Sequence, residues 1–236
     1  VKSVAELLEI QNELDQSLLS ISNLDAEIEK IKAEITSQEQ ELDGLANVIH
    51  EKRLQSIPVL TAKMTQILEN LGMPNVRFKI DLNQVATYFA NGKEELNFLF
   101  SANKGGDFGL LKKVASGGEM SRIMLAVKAI LAQYSKLPTL IFDEIDTGVS
   151  GEIAIRMGEI MKQMSANMQV FAITHLPQIA AKGDSHFKVA KSTVGEVTNS
   201  ELKLLTEEER VLEIAQMLSG TVVSESALNH AKALLN

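Results

Sequence analysis

The sequence contains no cysteine, which excludes a disulfide scaffold and a thiolate metal site and favours a reducing compartment. It also lacks any apolar stretch near the roughly 20 uncharged residues needed to span a bilayer, and no basic-then-apolar leader opens the chain. We therefore expect a cytoplasmic protein with no membrane partner. Because the chain begins with Val1 rather than methionine, we expect it to be an excised piece of a longer protein.

An excess of basic charge is lacking as well. The net charge is −8, whereas a simple nucleic-acid clamp draws on clustered lysine and arginine. The acidity is uneven: residues 1–56 hold 12 acidic and 5 basic side chains, a net of −7, so the other 180 residues carry only −1. Gross charge therefore identifies no partner for the remainder of the chain.

An apolar heptad pattern occupies the first fifty positions. One heptad position is always apolar, at Leu7, Leu14, Ile21, Ile28, Ile35, Leu42 and Ile49. The other holds Ile10, Leu24, Ile31 and Leu45 and is interrupted by Ser17, Gln38 and Lys52. A 3.5-residue period held this long predicts a supercoiled helix about 75 Å long at roughly 1.5 Å per residue. A single amphipathic helix lying on the domain is the alternative, but the stripe is too narrow and too regular for it.

We predict a coiled-coil arm over residues 1–56 and a globular lobe over 57–236. The helical pattern continues past Pro58 to Gly72, and alternating apolar residues on either side of Asn91-Gly92 then predict an antiparallel meander. Helices at 116–134 and 152–164 alternate with apolar strands at 138–142 and 170–173, which indicates a parallel sheet covered on both faces. Strands around Gly195 and helices at 207–218 and 224–235 follow, so the fold class is α/β.

Two adjacent carboxylates, Asp143 and Glu144, follow the first of these apolar strands. Open α/β sheets bind ligands at the carboxyl ends of their strands, and adjacent strand residues point to opposite sides. Asp143 therefore suits a nucleotide's magnesium, usually through water, and Glu144 suits activation of the attacking water. A plain polar strand end is the alternative interpretation.

A glycine pair opens the helix at 116–134. Ser116 and Glu119 fit a capping box, but that motif does not explain Gly117 and Gly118, which each cost roughly 1 kcal/mol relative to alanine within a helix. A bare backbone there lets a phosphate approach the free amides at the positive end of the helix dipole.

His175 follows the second apolar strand and emerges at the same sheet edge as Asp143. It is either a satisfied structural histidine or a sensor of a terminal phosphate. Asp146 and Gly148, in the turn after the acid pair, either contact a neighbouring subunit's nucleotide or form an ordinary turn.

These segments together resemble ABC-type ATPases of the SMC-like group. Val114 to Ala126, with Ser116-Gly-Gly-Glu-Met-Ser-Arg122, is similar to the signature segment, and Leu140 to Gly148 resembles the Walker B and D-loop segments. Ile173 to Ala180 resembles the switch-histidine segment. Within the group the likeness is greatest to the bacterial RecN family, and a transporter ATPase would not carry a fifty-residue heptad arm before its signature half.

The resemblance implies an ABC-type ATPase head lobe with a parallel sheet flanked by helices, an antiparallel β meander and a long N-terminal coiled-coil helix. Ser116, Gly117 and Gly118, with Glu119 in the same segment, would contact the γ-phosphate of an ATP held by the opposing subunit. The remaining roles fall on Asp143 (Mg²⁺), Glu144 (general base), Asp146 (D-loop) and His175 (γ-phosphate sensor).

One departure from that family pattern stands out. No Gly-x-x-x-x-Gly-Lys-Ser/Thr phosphate loop occurs, and in Asn103-Lys-Gly-Gly-Asp107 the lysine precedes the glycines and no hydroxyl residue follows. The resemblance assigns that loop to an amino-terminal half, beyond a coiled-coil hairpin. We therefore expect this chain alone to bind ATP poorly and to hydrolyse it negligibly.

The expected partners are the protein's own N-terminal half, which brings the phosphate loop and second arm, a second copy through ATP-sandwiched heads, and DNA. The implied role is double-strand break repair and recombination at the nucleoid. The alternatives are an SMC-type chromosome-organising ATPase and a non-catalytic coiled-coil scaffold.

Overall fold

A computed structural model describes the backbone of residues 3–135, 137–194 and 197–236, and their side chains except 20–23, 192–194 and 197–199. The predicted heptad side chain of Ile21 and the predicted turn at Gly195 lie outside the described residues. The chain divides into two compact units. The first contains Val1–Ser56 and Leu82–Leu96, and the second contains Ile57–Asp81 and Asn97–Asn236.

The predicted N-terminal helix is confirmed as α1, Val4–Asn70, which contains Pro58. It ends where the amides of Gly72 and Met73 bond back to Glu69 O (3.2 Å) and Leu68 O (2.9 Å). Gly72 has a φ of 75°, a left-handed value that favours glycine after a helix.

A buried carboxylate anchors the first unit. Glu94 is 9% exposed, and it accepts from Arg53 Nη1 (2.8 Å) and contacts His50 Nδ1. Burial acts to raise the pKa of Glu94, but the hydrogen bonds from Arg53 and His50 outweigh it and hold that pKa below its ordinary value. Arg53 also donates to Asn91 O (2.6 Å), so it ties α1 to the β turn as well.

An exposed polar cluster joins the same segments nearby. Asp43 Oδ1 accepts from Lys93 Nζ (2.7 Å) and from the Tyr88 hydroxyl (2.8 Å). The hydrogen bond from Lys93 is the main cause that lowers the pKa of Asp43. Both clusters fix the hairpin tip against the helix within the first unit.

Three strands follow α1, in the sheet order β1-β2-β3. They are β1 (Arg77–Phe89), β2 (Gly92–Ser101) and β3 (Gly109–Leu110), and β2 pairs antiparallel with β3. The turn between β1 and β2 comprises Ala90 and Asn91, one residue earlier than predicted, because Gly92 already belongs to the second strand.

The predicted alternation of helices and parallel strands is confirmed. The short α2 (Leu111–Val114) precedes α3 (Gly117–Tyr134), β4 (Thr139–Asp143), α4 (Gly151–Met164) and β5 (Gln169–Ile173). Strands β4 and β5 are parallel, in a register that sets Asp143 beside Ile173. The core of the second unit includes fully buried residues from α1 and the turn after it, from β2, and from α3 and α4: Met64, Leu68, Leu71, Phe100, Ile123, Leu125 and Met157.

Only one face of the β4–β5 sheet is covered by described residues, which corrects the expectation of cover on both faces. The side chain of Phe142 is buried and only 2% exposed, whereas Ile141, Phe171 and Ile173 on the opposite face remain exposed. A continuous apolar run predicts burial on both sides, but no described helix of this chain covers the second side.

The remaining elements are α5 (Pro177–Ala180), β6 (Phe187–Val194), β7 (Val197–Leu204), α6 (Glu207–Ser219) and α7 (Glu225–Leu235). Strands β6 and β7 pair antiparallel. Among the described residues, no helix combines the length and apolar character that a membrane crossing requires.

Candidate functional site

The two acidic residues lie at the carboxyl end of β4 with their side chains open to solvent. Both Asp143 and Glu144 are exposed. Neither carboxylate has a hydrogen-bond or ion-pair partner within the described part of the chain. Both groups are therefore available to a ligand, as a metal-binding carboxylate and a general base must be.

The backbone at Glu144 adopts an unusual conformation. Its φ of 47° lies in the left-handed region, which is uncommon for residues other than glycine and costs of order 1–3 kcal/mol. Two sets of bonds hold it there: its amide donates to Ile173 O (3.3 Å), and its carbonyl accepts from the amide (3.4 Å) and hydroxyl (3.0 Å) of Thr147. The strain turns the chain sharply directly after Asp143.

Asp146 is the buried carboxylate of the site, with no exposed surface. Its Oδ2 accepts from the Thr174 hydroxyl and from the His175 amide (3.2 Å), and it lies 3.4 Å from His175 Nδ1. Its Oδ1 is buried and has no partner in the described structure. Asp146 therefore joins the turn after β4 to the corner after β5.

The imidazole of His175 remains accessible although its backbone is fixed. Its side chain is 72% exposed, while Asp146 holds its amide and lies beside its Nδ1. Thr174, which sequence reasoning missed, accepts from the Leu176 amide (3.0 Å) and donates to Asp146. A hydroxyl residue directly before the histidine was the available signal.

The start of α3 contains the complete capping box. Glu119 N donates to Ser116 Oγ (3.4 Å), and Ser116 N donates to Glu119 Oε2 (2.8 Å). No described protein oxygen accepts from the amides of Gly117 or Gly118. The cap thus accounts for Ser116 and Glu119, and it leaves two unpaired amides at the positive end of the helix.

Gly118 also packs against the turn that follows the acid pair. A Cβ built on Gly118 would lie 3.4 Å from Gly148 O and 3.5 Å from Thr147 O, whereas one on Gly117 would meet nothing within 4 Å. Gly148 has a φ of 74°. The structure thus brings the glycine-rich helix start beside the turn that contains Asp146.

Arg122 is a second residue whose position sequence reasoning missed. Its Nε donates to Gly118 O (3.0 Å) and its Nη1 to Leu71 O (2.9 Å). Because one guanidinium bonds both carbonyls, it joins the start of α3 to the end of α1.

Two carbonyls of the exposed glycine-rich loop, Asn103 to Asp107, accept hydrogen bonds from neighbouring side chains. Gly106 O accepts from Arg77 Nη2 (2.6 Å) and from Ser101 Oγ (3.2 Å), and Asn103 O accepts from Ser101 Oγ (3.1 Å). Within the loop the amide of Gly106 donates to Asn103 O (3.2 Å). The order of its residues, with the lysine before the glycines, still sets it apart from a phosphate loop. Within the described residues no group of three or more acidic or histidine side chains forms a ready metal site, so a bound Mg²⁺ would need further ligands from phosphate and water.

No protein-family model matches the chain. Its relatives nevertheless include three proteins named DNA repair protein RecN. The one from Halalkalibacterium halodurans is 35% identical over 99% of this chain and 42% of its own length. The one from Haemophilus influenzae is 34% identical over 98% of this chain and 42% of its own length. The one from Deinococcus radiodurans is 38% identical over 94% of this chain and 38% of its own length. The chain therefore spans about two fifths of the length of these relatives.

Solved structures with a similar fold include two SMC head domains. The head with a coiled coil and joint from Pyrococcus yayanosii has a TM-score of 0.57 at 20% identity, over 91% of this chain and 38% of that chain. The head with an extended coiled coil from Pyrococcus furiosus, bound to the C-terminal domain of ScpA, has a TM-score of 0.55 at 19% identity, over 91% and 51%. The predicted fold, a head lobe of SMC type with a long N-terminal helix, is confirmed.

Proposed function

Because the chain belongs to the RecN family, we propose that it forms the carboxy-terminal half of an SMC-like ATPase that acts in DNA double-strand break repair and recombination. In this proposal residues 1–56 are one arm of an antiparallel coiled coil, and residues 57–236 are one lobe of an ATPase head. The amino-terminal half of the same protein supplies the phosphate loop and the second arm.

One observation carries the proposal. Two solvent-open carboxylates, Asp143 and Glu144, follow β4, and the next parallel strand ends two residues before the exposed imidazole of His175. Metal-assisted water attack on a phosphoryl group needs a metal-holding carboxylate, a base for the water and a polar group near the phosphate. These three groups come from the edge where open α/β sheets bind ligands.

The residues of this chain take separate roles. Asp143 would hold Mg²⁺ through water, and the metal when bound would neutralise phosphate charge. Glu144 would orient and deprotonate the attacking water, and His175 would contact the γ-phosphate. The strained backbone at Glu144 supports this assignment, because such strain is concentrated at functional sites.

The glycine-rich start of α3 would serve the second copy of the protein. Ser116, Gly117 and Gly118 would approach the γ-phosphate of an ATP bound by the opposing head, with Glu119 fixing the hydroxyl of Ser116. The unpaired amides of the two glycines support this role. Asp146 would act in the D-loop by linking that turn to His175, and its unpaired Oδ1 leaves one acceptor for the completed site.

The exposed surfaces of this chain indicate where its proposed partners bind. The exposed apolar face of β4–β5, with Ile141, Phe171 and Ile173, supports contact with the amino-terminal half. ATP-sandwiched heads would then form a homodimer, with DNA as the partner of the whole protein in the cytoplasm at the nucleoid. The relatives' name supports repair over an SMC-type role, because their identity exceeds that of the SMC heads.

The test is ATP hydrolysis by this chain reunited with its amino-terminal half. Glu144→Gln should lower kcat by about 10²–10⁴-fold, the usual contribution of a general base, while ATP binding persists. Glu208→Gln removes an exposed charge in α6 and is the matched control. Equal rates for Glu144→Gln and wild type would remove Glu144 from the mechanism. If the protein is a non-catalytic scaffold, wild type, Glu144→Gln and Glu208→Gln would all show no turnover. Strong turnover by this chain alone would contradict the expected need for the phosphate loop.

A further inference from the structure

The apolar stripe of the arm is open to solvent from Leu7 to Leu45 within the described residues. Within the described residues from Leu7 to Leu45, its members are exposed by between 40% for Ile10 and 60% for Leu14, and only Ile49 at its end is partly buried. Leucine and isoleucine at this spacing are stabilised by burial. The stripe therefore needs an occupant, and the charges beside it indicate which occupant fits.

One edge of the stripe is uniformly acidic. If Leu7 opens a heptad, the residue before each of the first six such apolar positions is glutamate at five of them, and the exception is Ser20 before the third. These glutamates are Glu6, Glu13, Glu27, Glu34 and Glu41. Glu13, Glu27 and Glu41 have no cation within ion-pair distance in the described structure, and Glu34 has only Lys30 at 4.0 Å. In an antiparallel coiled coil this edge faces the same edge of the partner helix, so its charge selects the partner.

A second copy of the arm is a poor antiparallel occupant. Most of these glutamates would face another glutamate, and like charges so placed destabilise the pair. A parallel second copy gains nothing either: Glu27 would face the partner copy's Lys32, but Glu34 would face its Glu39. Self-pairing therefore has no electrostatic support in either orientation.

We propose that the arm binds an antiparallel helix with lysine or arginine at the positions facing Glu13, Glu27, Glu34 and Glu41, and that this acidic edge excludes a second copy. The antiparallel orientation rests on the proposed function, in which the second arm belongs to the same protein. The acidic edge thus gives partner choice, while the apolar stripe gives most of the affinity.

The first experiment offers this chain two synthetic helices that share one apolar heptad stripe. One peptide carries lysine at the facing edge and the other carries glutamate, and binding is followed by fluorescence anisotropy without nucleotide. Four pairs, each worth about twofold in attraction and about twofold in repulsion, favour the lysine peptide by about 250-fold at low salt. The preference should shrink toward unity in 1 M salt, where the Debye length is about 3 Å. Equal binding of both peptides at low salt would overturn the proposal.

Charge reversal provides the matched control. Glu13→Lys, Glu27→Lys, Glu34→Lys and Glu41→Lys together should invert the peptide preference. Reversing four exposed acidic residues off this edge, Glu9, Asp15, Glu29 and Glu51, changes the net charge equally and should leave the lysine peptide preferred. If both quadruple variants behave alike, net charge rather than the edge determines binding, and the proposal is wrong. Circular dichroism checks that each variant remains helical.

A mixing experiment tests orientation with this chain alone. The wild type and the edge-reversed variant should form a mixed pair in preference to either like pair, because glutamate then faces lysine along the antiparallel edge. In a parallel pair the same reversal turns the attraction between residues 27 and 32 into a repulsion, and the repulsion between residues 34 and 39 into an attraction. Mixed and like parallel pairs are then equally stable, so neither is preferred. Sedimentation that finds only like pairs, or no preference, would refute the antiparallel edge. Neither result depends on ATP, so it is separable from failure of the proposed ATPase.

Discussion

Replacement of the two glycines at the start of α3 by alanine separates a ligand-binding role from a structural one. Neither Gly117 nor Gly118 has a positive φ, so alanine fits the backbone at both positions. Such a replacement commonly stabilises a protein by about 0.4–1 kcal/mol, because the unfolded chain loses freedom. A plain capping box would therefore be improved by alanine at these positions.

The structure distinguishes the two positions in magnitude. A Cβ on Gly117 meets open space, so we expect the full gain, about 0.4–1 kcal/mol, or a rise in Tm of about 1–4 °C for a chain of this size. A Cβ on Gly118 would lie 3.4 Å from Gly148 O, at the near limit of ordinary contact. There we expect the gain to fall to between zero and about 0.5 kcal/mol.

Activity should change in the opposite direction. In the proposed ATPase, formed by this chain and its amino-terminal half, a methyl group that displaces the phosphate by about 1 Å would cost on the order of 100-fold in rate. Thermal unfolding of this chain and ATP hydrolysis by the reunited protein are the two measurements. Variants that are more stable and fully active would refute the assignment of these glycines to phosphate binding. A loss of several kcal/mol at Gly117 would show instead that a side chain at this position meets a steric clash.

Three further changes test the fold around the site and the arm. Gly72→Ala combines a φ of 75° with a Cβ 2.8 Å from Ile153 Cδ1, so it should destabilise the chain by about 1–3 kcal/mol in urea titration; an unchanged midpoint would contradict this geometry. Glu94→Gln should cost about 2 kcal/mol at pH 7. Because the folded pKa of Glu94 is lowered, the stability that its carboxylate contributes is present above the unfolded pKa of about 4.3 and is lost as the pH falls through the lower folded pKa. The free energies of unfolding of wild type and variant should therefore become equal in acid. A difference that stays constant with pH would refute this role of Glu94. Asp146→Asn should lower the free energy of unfolding, measured with denaturant, by about 1–3 kcal/mol, whereas Asp143→Asn at an exposed position should change it by at most about 0.5 kcal/mol. Equal effects of the two substitutions would show that Asp146 does not stabilise the fold as a buried acceptor.

The elements with strong periodicity were predictable from the sequence. The long helix follows from the heptad stripe, and α3, β4, α4 and β5 follow from the change between helical and continuous apolar patterns. The same reasoning identified Asp143 and His175 as residues of one sheet edge, and the parallel register of β4 and β5 agrees with that edge. Their catalytic roles stay predictions.

Other features depend on contacts between distant segments and were not predictable. The burial of Asp146 results from Thr174 and His175, nearly thirty residues away, and Asp-Thr-Gly alone does not indicate it. The left-handed backbone of Glu144 results from bonds to Ile173 and Thr147, because no propensity favours glutamate in that conformation. The open face of β4–β5 escaped prediction because an apolar strand reads the same whether its cover comes from its own chain or from another.

The bonds of Arg122 have a consequence for substitution at that position. Its two donors, 3.0 Å from Gly118 O and 2.9 Å from Leu71 O, belong to one rigid plane, so the two carbonyls are held at a fixed separation. A lysine has a single ammonium on a flexible stem and would release that separation even though it preserves the charge. With arginine, a displacement of the end of α1 would therefore move the glycine-rich start of α3 as well. With lysine the two segments would move independently, so Arg122→Lys would uncouple them although it keeps the charge.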